Sequence, residues 1–196
     1  MLPISYLFDR LRYAKSRADE LRPLRTALRN APGESEVSFE ESVLARDLRD
    51  LRRRIIVALG HVEACGSCAR GHPLPHGRWD GGHCCGGVTS RLFTPDEVAS
   101  LKAAGTRSRH LRVPAGDHAG CVFRGAKGCS LDAEHRPNLC VRYTCPDLRR
   151  ELRARGDLAL IDGLGDELLR TFRKFVEARE RRRNDEVFAE LLSQGP

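Results

Sequence analysis

The chain has 196 residues, 40% hydrophobic and 31% charged, and its 34 Lys and Arg against 27 Asp and Glu give a net charge of +7. This length and balance indicate one globular domain, or one domain with helical extensions, and exclude a disordered chain. No apolar run reaches the length of a membrane span, and the apolar start is interrupted by Asp9 and Arg10. We therefore expect a cytoplasmic protein that is neither secreted nor bound to a membrane.

Residues 1–60 are predicted to form a helical N-terminal flank. Apolar residues recur at helical spacing from Ile4 to Leu28. Pro23 is expected to kink or end this first helix near Leu21, because proline lacks a backbone donor and clashes with the preceding turn.

A second helix is predicted after the loop at residues 30–33. Ser38 and Glu41 have the spacing of a capping box, and Gly60 stands where a C-terminal cap is expected. Between them, one helical stripe carries the apolar residues Phe39, Leu44, Leu48, Leu51, Ile55 and Leu59.

Residues 61–145 form a Cys-rich middle segment. It contains all eight Cys, all seven His and 12 of the 18 Gly, whereas only 14 of its 85 residues are Leu, Ile, Val or Phe. One short helix is indicated by Thr94 as the N-cap, Pro95 in the first turn, Glu97 completing a capping box, and Gly105 at the end. The remainder is predicted to be loops held by metal rather than by apolar burial, since structural zinc contributes roughly 10–16 kcal/mol in small peptides.

Residues 146–196 are predicted to be a helical C-terminal flank. Pro146 suits the first position of a helix, and Gly156 and residues 163–165 are expected to interrupt the helical pattern. A long amphipathic helix follows, carrying Leu168, Leu169, Phe172, Phe175, Val176, Val187, Phe188 and Leu191. The predicted fold is mainly α, with the two helical flanks packed on each other and around an irregular, metal-stabilised, Cys-rich centre in one compact domain.

Basic residues are spread along the chain rather than gathered in one arm. The runs at 52–54 and 181–183 lie on predicted helices beside acidic residues, which is typical of a solvated helix face with ion pairs. A nucleic-acid partner is not expected, because such binders cluster their charge and offer aromatic rings, and Trp79 is the only Trp. An unidentified protein partner is expected instead.

The eight cysteines are the candidate metal ligands, because thiols in a reducing cytosol are seldom structural disulfides. Cys65 and Cys68 have the two-residue gap that lets two sulfurs face one ion. The others are the adjacent pair Cys84 and Cys85, and the later set Cys121, Cys129, Cys140 and Cys145. Catalysis by a single cysteine would leave this clustering unexplained.

Residues beside the cysteines are candidates for supporting roles. Cys145 is predicted near the N-cap of a helix, where the helix dipole favours a thiolate that acts as a ligand or a nucleophile. Arg136 and Arg142 are expected either to offset thiolate charge or to be ordinary surface residues. His83 and His135 are the histidines expected as possible ligands, ahead of His72 and His76 in a Pro-rich loop.

These motifs resemble a known family over residues 61–145. One part is Gly82-His83-Cys84-Cys85 with the helix start at 94–98, and the other is Gly120-Cys121, Cys129-Ser130-Leu131 and Arg136-Pro137-x2-Cys140-x-Arg142-Tyr143-x-Cys145. They resemble the YkgJ-like cysteine-cluster proteins, described as having a zinc- or iron-chelating CxxCxxCC domain and related to flagellin lysine-N-methylases, which carry an iron–sulfur cluster. The fifteen residues between Cys68 and Cys84 depart from the family spacing, which indicates an inserted loop or a different match for the first pair.

Three functions are compatible with these residues. The first is an iron–sulfur protein with one four-Cys cluster and a possible second metal site, in a redox or accessory role. The second is a zinc-stabilised binding module without catalysis, since four thiolates also suit zinc. The third, implied only by the resemblance, is a protein-modifying enzyme similar to the methylases.

Overall fold

The computed structural model describes residues 4–62, 89–115, 121–125 and 128–193. This part of the chain is mainly α-helical, as the sequence predicts, with 76% of its residues in helices. It contains eight α-helices, three short 3₁₀-helices and one sheet of two strands. Among these helices, none has both the length and the apolar character needed to cross a lipid bilayer.

The first two helices, α1 Ile4–Arg12 and α2 Lys15–Asn30, pack against each other. The helical conformation is interrupted between α1 and α2. Helix α2 continues through the exposed Pro23, so the prediction that the helix ends near Leu21 is wrong. A proline inside a helix costs about 3 kcal/mol, and burying one leucine contributes roughly 1.5–3 kcal/mol. The face of α2 that buries Leu21, Leu24 and Leu28 therefore outweighs the local cost.

The third helix, α3 Phe39–Leu59, has the predicted ends. Ser38 Oγ accepts the Glu41 N–H at 3.1 Å, and the Glu41 carboxylate accepts the Ser38 N–H at 2.9 Å. Gly60 ends the helix with a φ of +58°, a backbone conformation that favours glycine. The predicted apolar stripe is buried from Leu48 onward, whereas Phe39 is 82% exposed because it lies in the first turn, outside the packed stretch.

Two helices follow in the middle segment, α4 Thr89–Leu92 and α5 Pro95–Ala103. Thr94 caps α5 as predicted, since its hydroxyl accepts the Glu97 N–H at 3.3 Å. The Glu97 side chain does not complete the predicted capping box, because its carboxylate accepts a distant backbone N–H instead. Gly105 follows the end of α5 with a φ of +90°.

Short elements complete the middle segment. Strand β1 Arg124–Gly125 pairs antiparallel with β2 Gly128–Cys129. The 3₁₀-helices are Glu34–Glu36, Ser108–His110 and Ala133–His135. The next two α-helices are α6 Asn138–Arg142 and α7 Pro146–Arg155.

The last helix, α8 Leu158–Ser193, has 36 residues. Gly156 separates it from α7 with a φ of +79°, as predicted, but Gly163 and Gly165 lie inside α8 and do not interrupt it. Gly165 is buried, and a Cβ there would lie 3.3 Å from Arg142 Cγ, so this glycine permits close packing against α6. Beyond Ala178 the apolar residues of α8 are exposed.

The described residues form two apolar clusters. The first lies where α3 packs along α8, with contributions from α5, α6 and α7, so the two flanks pack on each other as predicted. The second joins α2 to the middle segment through Leu92, Phe93, Val98, Leu101, Leu111, Val113, Val122, Phe123 and Leu131. The prediction that apolar burial does not hold the middle segment is therefore wrong for its described part, because its apolar residues pack with Leu21, Leu24 and Leu28 of α2.

Candidate metal centre

Four of the eight candidate ligands lie in the described part of the chain. Cys121 is buried, and Cys129, Cys140 and Cys145 are partly buried. No disulfide joins any two of these four. Cys65, Cys68, Cys84 and Cys85 lie outside the described residues, as do His72, His76, His83 and Trp79.

Three of the four described cysteines meet the same apolar cluster. Cys121 is a member of the cluster that joins α2 to the middle segment, and Cys129 and Cys140 pack against it. Cys145 packs against the other cluster, between α3 and α8. Cys145 therefore contacts a different apolar cluster from Cys121, Cys129 and Cys140.

The backbone around Cys121 is held by the buried Arg17 of α2. Its guanidinium donates to the carbonyl of Val122 and, at 3.0 Å, to the carbonyl of Arg124. Thr89 adds a second connection, since its hydroxyl accepts the Val122 N–H at 3.0 Å and donates to the Glu20 carboxylate. These bonds fix the position of the Cys121 segment against α2 and α4.

Cys129 is positioned by the hairpin of β1 and β2, in which it pairs with Arg124. The following residue continues this pairing, because the Ser130 N–H donates to the Phe123 carbonyl at 2.9 Å. The Ser130 hydroxyl also donates to the Arg112 carbonyl at 2.7 Å. The hairpin thus brings Cys129 back toward Cys121.

Burial raises the pKa of the Cys121 thiol to about 11. The neighbouring Cys129 raises that pKa further, whereas hydrogen bonds with the Phe123 backbone and the Thr89 side chain lower it. In this apolar setting the thiolate form needs a positive charge beside it, which a bound metal ion provides.

Cys140 lies on α6, whose first residue is held by a buried polar network. The Glu97 carboxylate accepts the Asn138 N–H at 3.1 and 3.2 Å, and Arg52 Nε donates to Asn138 Oδ1 at 2.8 Å. Arg52 also donates to Ser100 Oγ at 3.1 Å and lies 3.9 Å from Glu97 Oε2. Burial raises the pKa of Glu97 to about 7 and lowers the pKa of Arg52 to about 10.

Arg17 and Arg52 are positioning residues that the sequence did not reveal. Arg52 was expected on a solvated face, yet it is fully buried. Arg52 lies four residues after Leu48 and three before Ile55, which is the spacing of the buried apolar stripe, and this spacing indicates a buried position. Arg17 lies one residue before the buried Ala18, and its partners are 105 and 107 residues away in sequence.

Cys145 is the N-cap of α7, as predicted. Its sulfur accepts the Leu148 N–H at 3.4 Å, so the thiol compensates one of the free donors at the start of the helix. Pro146 occupies the first turn. This contact gives Cys145 a structural role in helix capping besides any role as a ligand.

The predicted supporting residues have protein partners in the structure. His135 is buried, its Nδ1 lies 3.0 Å from Thr106 Oγ1, and its ring stacks on His110 with centroids 4.2 Å apart. Arg136 Nε donates to the Leu131 carbonyl at 2.9 Å, and Arg142 is exposed. The contacts with Thr106 and His110 hold the orientation of the His135 ring.

The described residues do not form a complete metal site. Within residues 4–62, 89–115, 121–125 and 128–193, no group of three or more His, Cys, Asp or Glu side chains is arranged to hold a metal ion. Comparison with protein-family models, curated proteins and solved structures finds no match to this chain. The likeness to the cysteine-cluster family therefore remains a prediction from the motifs.

Proposed function

We propose that the protein binds an iron–sulfur cluster through cysteine thiolates and that Cys121, Cys129 and Cys140 are among its ligands. The observation that supports this proposal is their common position on one apolar cluster, although they lie as much as 19 residues apart in sequence. Thiolate ligation at the edge of an apolar core, with loops that approach closely, suits iron–sulfur clusters.

The remaining ligands are assigned to the cysteines of residues 65–85. Cys85 is four residues before Thr89, which bonds to the segment of Cys121, and four residues span at most about 14 Å. No three described side chains are arranged to hold an ion by themselves, so the four thiolates of a cluster require at least one cysteine from this stretch beside the described ones. The other cysteines are then available to a second site.

Hydrogen bonds within the chain hold the backbone beside the proposed ligands. Arg17 fixes the loop of Cys121, the hairpin fixes Cys129, and the network of Arg52, Glu97 and Asn138 fixes the start of the helix of Cys140. When bound, an iron–sulfur cluster supplies one-electron redox chemistry or a structural cross-link. We place the protein in the cytoplasm, where a reducing environment keeps such thiols available.

Metal analysis tests the proposal. The protein is purified without oxygen, its visible spectrum is recorded, and iron, acid-labile sulfide and zinc are measured against protein concentration. A brown sample with iron and sulfide is expected. A colourless sample with stoichiometric zinc would show that the thiolates bind zinc and would overturn the assignment of an iron–sulfur cluster. A folded protein with neither metal would overturn the proposal of a metal site altogether.

Single substitutions test which thiols are ligands. Cys140→Ser is expected to lose the metal, and so are Cys121→Ser and Cys129→Ser. Cys145→Ser is the matched control, because a serine oxygen also accepts the Leu148 N–H at the N-cap. This control is expected to keep the metal held by the other three thiols, and its complete loss would contradict the grouping.

A second control separates loss of a ligand from loss of the fold. Leu131 is buried in the same apolar cluster, so Leu131→Ala is expected to cost about 2–5 kcal/mol of stability. Its folded fraction is nevertheless expected to retain the wild-type ratio of metal to protein. If Leu131→Ala and Cys140→Ser lose metal in equal measure, the loss reports the fold rather than the thiol.

A further inference from the structure

A cleft separate from the cysteines lies between α1, α2 and the 3₁₀-helix Ser108–His110. Its volume is about 610 Å³, within the usual size of sites for small molecules. Its lining includes the apolar or aromatic side chains of Phe8, Tyr13 and Leu111. Most of its other lining residues are arginines.

Exposed apolar residues continue from the cleft along the surface of α1. Phe8 is 67% exposed, and Ile4 and Leu11 lie on the same face of the helix, one turn before it and one turn after it. Both are also largely exposed. An apolar track therefore leads from the cleft along the surface of α1.

The charges around the cleft do not balance. Arg12, Arg25, Arg109 and Arg112 line it against a single acid, the buried Asp9. Asp9 is neutralised by Arg25, whose Nη1 lies 2.9 Å from Asp9 Oδ2. Burial raises the pKa of Asp9, and the charges of both Arg25 and Arg12 oppose that rise, so Arg109 and Arg112 are the two lining arginines that do not act on this carboxylate.

The other contacts of these lining arginines with described residues are weak. Arg109 Nε donates to the imidazole of His110 at 3.2 Å, and Arg12 lies 5.6 Å from the centroid of the Tyr13 ring. The guanidinium of Arg112 has no hydrogen bond or ion pair to a residue that the structure describes. Burial lowers the pKa of His110 most, the charges of Arg109, Arg107 and Arg112 lower it further, and the charge of Glu134 opposes them.

We infer that this cleft binds a small amphipathic anion, with a carboxylate or phosphate head against Arg109 and Arg112 and an aliphatic body along Phe8. Arginine donors match such head groups in geometry and charge. The apolar track on α1 accommodates the body of the ligand, whose burial stabilises the complex. This inference does not depend on the metal proposal, since no cysteine lines the cleft.

Calorimetric titration of the full chain with decanoate and with decyl phosphate tests the inference and distinguishes the two head groups. Saturable binding of one or both is expected, with an affinity that falls as salt increases. Decyltrimethylammonium, which has the same chain and the opposite charge, is expected not to bind. Equal binding of this cation, or no saturable binding of either anion, would overturn the inference.

Substitutions locate the site. Arg112→Gln is expected to weaken binding of the bound anion about tenfold or more, because a charged hydrogen bond is lost. Phe8→Ala is expected to weaken decanoate binding without changing the salt dependence. Arg46→Gln, an exposed arginine of α3, is the control and is expected to leave affinity unchanged.

Vesicles separate a soluble ligand from a membrane surface. Vesicles of phosphatidylglycerol carry anionic head groups with an apolar interior, and α1 presents exposed apolar residues beside arginines. Sedimentation with these vesicles in the absence of saturable decanoate or decyl phosphate binding would overturn the inference in favour of membrane association. Monomeric anion binding that is weakened by Arg112→Gln and unchanged by Arg46→Gln supports it.

Discussion

Glu97 accepts the backbone N–H of Asn138 with both carboxylate oxygens, at 3.1 and 3.2 Å, across 41 residues of sequence. The bond joins α5 to the start of α6, two residues before Cys140. Arg52 of α3 donates to the Asn138 side chain, so three helices meet at one buried polar network. Because each group in the network lies away from water, each depends on the others for its hydrogen bonds.

Arg52→Met tests this network through stability. The substitution leaves the Glu97 carboxylate buried without its positive partner, which costs roughly 3–5 kcal/mol. We expect a lower urea midpoint for unfolding. Arg53→Met is the control. Arg53 is exposed and its Nε forms a long ion pair of 3.7 Å with Glu134 Oε2, so the substitution is expected to cost less than about 1 kcal/mol of stability. Equal effects of the two substitutions would contradict the role assigned to Arg52.

The raised pKa of Glu97 predicts a pH dependence of stability. Its pKa is about 7 in the folded protein against an ordinary value of 4.5, so the folded state holds this proton more tightly. The contribution of Glu97 to stability is therefore complete below about pH 4.5 and is lost as pH rises through 7. Glu97→Gln removes this titration, so unfolding free energies of wild type and variant are expected to diverge between these pH values.

Because histidines also titrate in this pH range, the quantity to measure is the difference in unfolding free energy between wild type and Glu97→Gln at each pH. Burial lowers the pKa of His135 and of His110, so both favour stability above their ordinary pKa and reduce it as pH falls. Their effect has the opposite sign to that of Glu97 and is common to wild type and Glu97→Gln. Parallel pH profiles of the two proteins would show that Glu97 does not titrate in this range.

The features that the sequence revealed are those with local signals. The caps at Ser38, Thr94 and Cys145 and the helix ends at Gly60 and Gly156 depend on residues within one turn, and all five lie where predicted. Local rules failed where burial opposed them. Pro23 and the two glycines of α8 were expected to interrupt helices, but tertiary packing carries both helices through.

The positioning residues were not accessible from local patterns. Arg17 and Arg52 find their partners 105 and 86 residues away, and no periodic pattern gives such pairings. The spacing of the cysteines does not show which apolar cluster each one contacts. Cys140 lies on the short helix α6 and Cys145 caps α7, and the two contact different apolar clusters.

Arg17→Met tests whether the hydrogen bonds of Arg17 hold the segment of Cys121 in place. The variant leaves the carbonyls of Val122 and Arg124 without their buried charged donor, which is expected to cost about 2–4 kcal/mol. Hydrogen exchange of the amides of residues 122–124 is expected to accelerate more than that of α8. Arg29→Met, at an exposed site on the same helix, is the control and is expected to change stability by less than about 0.5 kcal/mol.

The outcome also bears on the metal proposal. If the hydrogen bonds of Arg17 position Cys121, the Arg17→Met variant purified without oxygen is expected to hold less metal than Arg29→Met at the same folded fraction. Unchanged exchange at residues 122–124 in Arg17→Met would show that the hairpin alone holds this segment.

Three alanine substitutions separate the roles of the glycines near α8. Gly163 is exposed with no atom within 4 Å of a built Cβ, so Gly163→Ala is expected to stabilise by about 0.5–1 kcal/mol through helix propensity. Gly165→Ala gains the same propensity but forces the flexible Arg142 to move from 3.3 Å, so its gain is expected to be smaller. Gly156→Ala is expected to destabilise by about 1 kcal/mol, because its φ of +79° disfavours a side chain. Thermal unfolding that ranks Gly165→Ala above Gly163→Ala would contradict the close packing of α6 on α8.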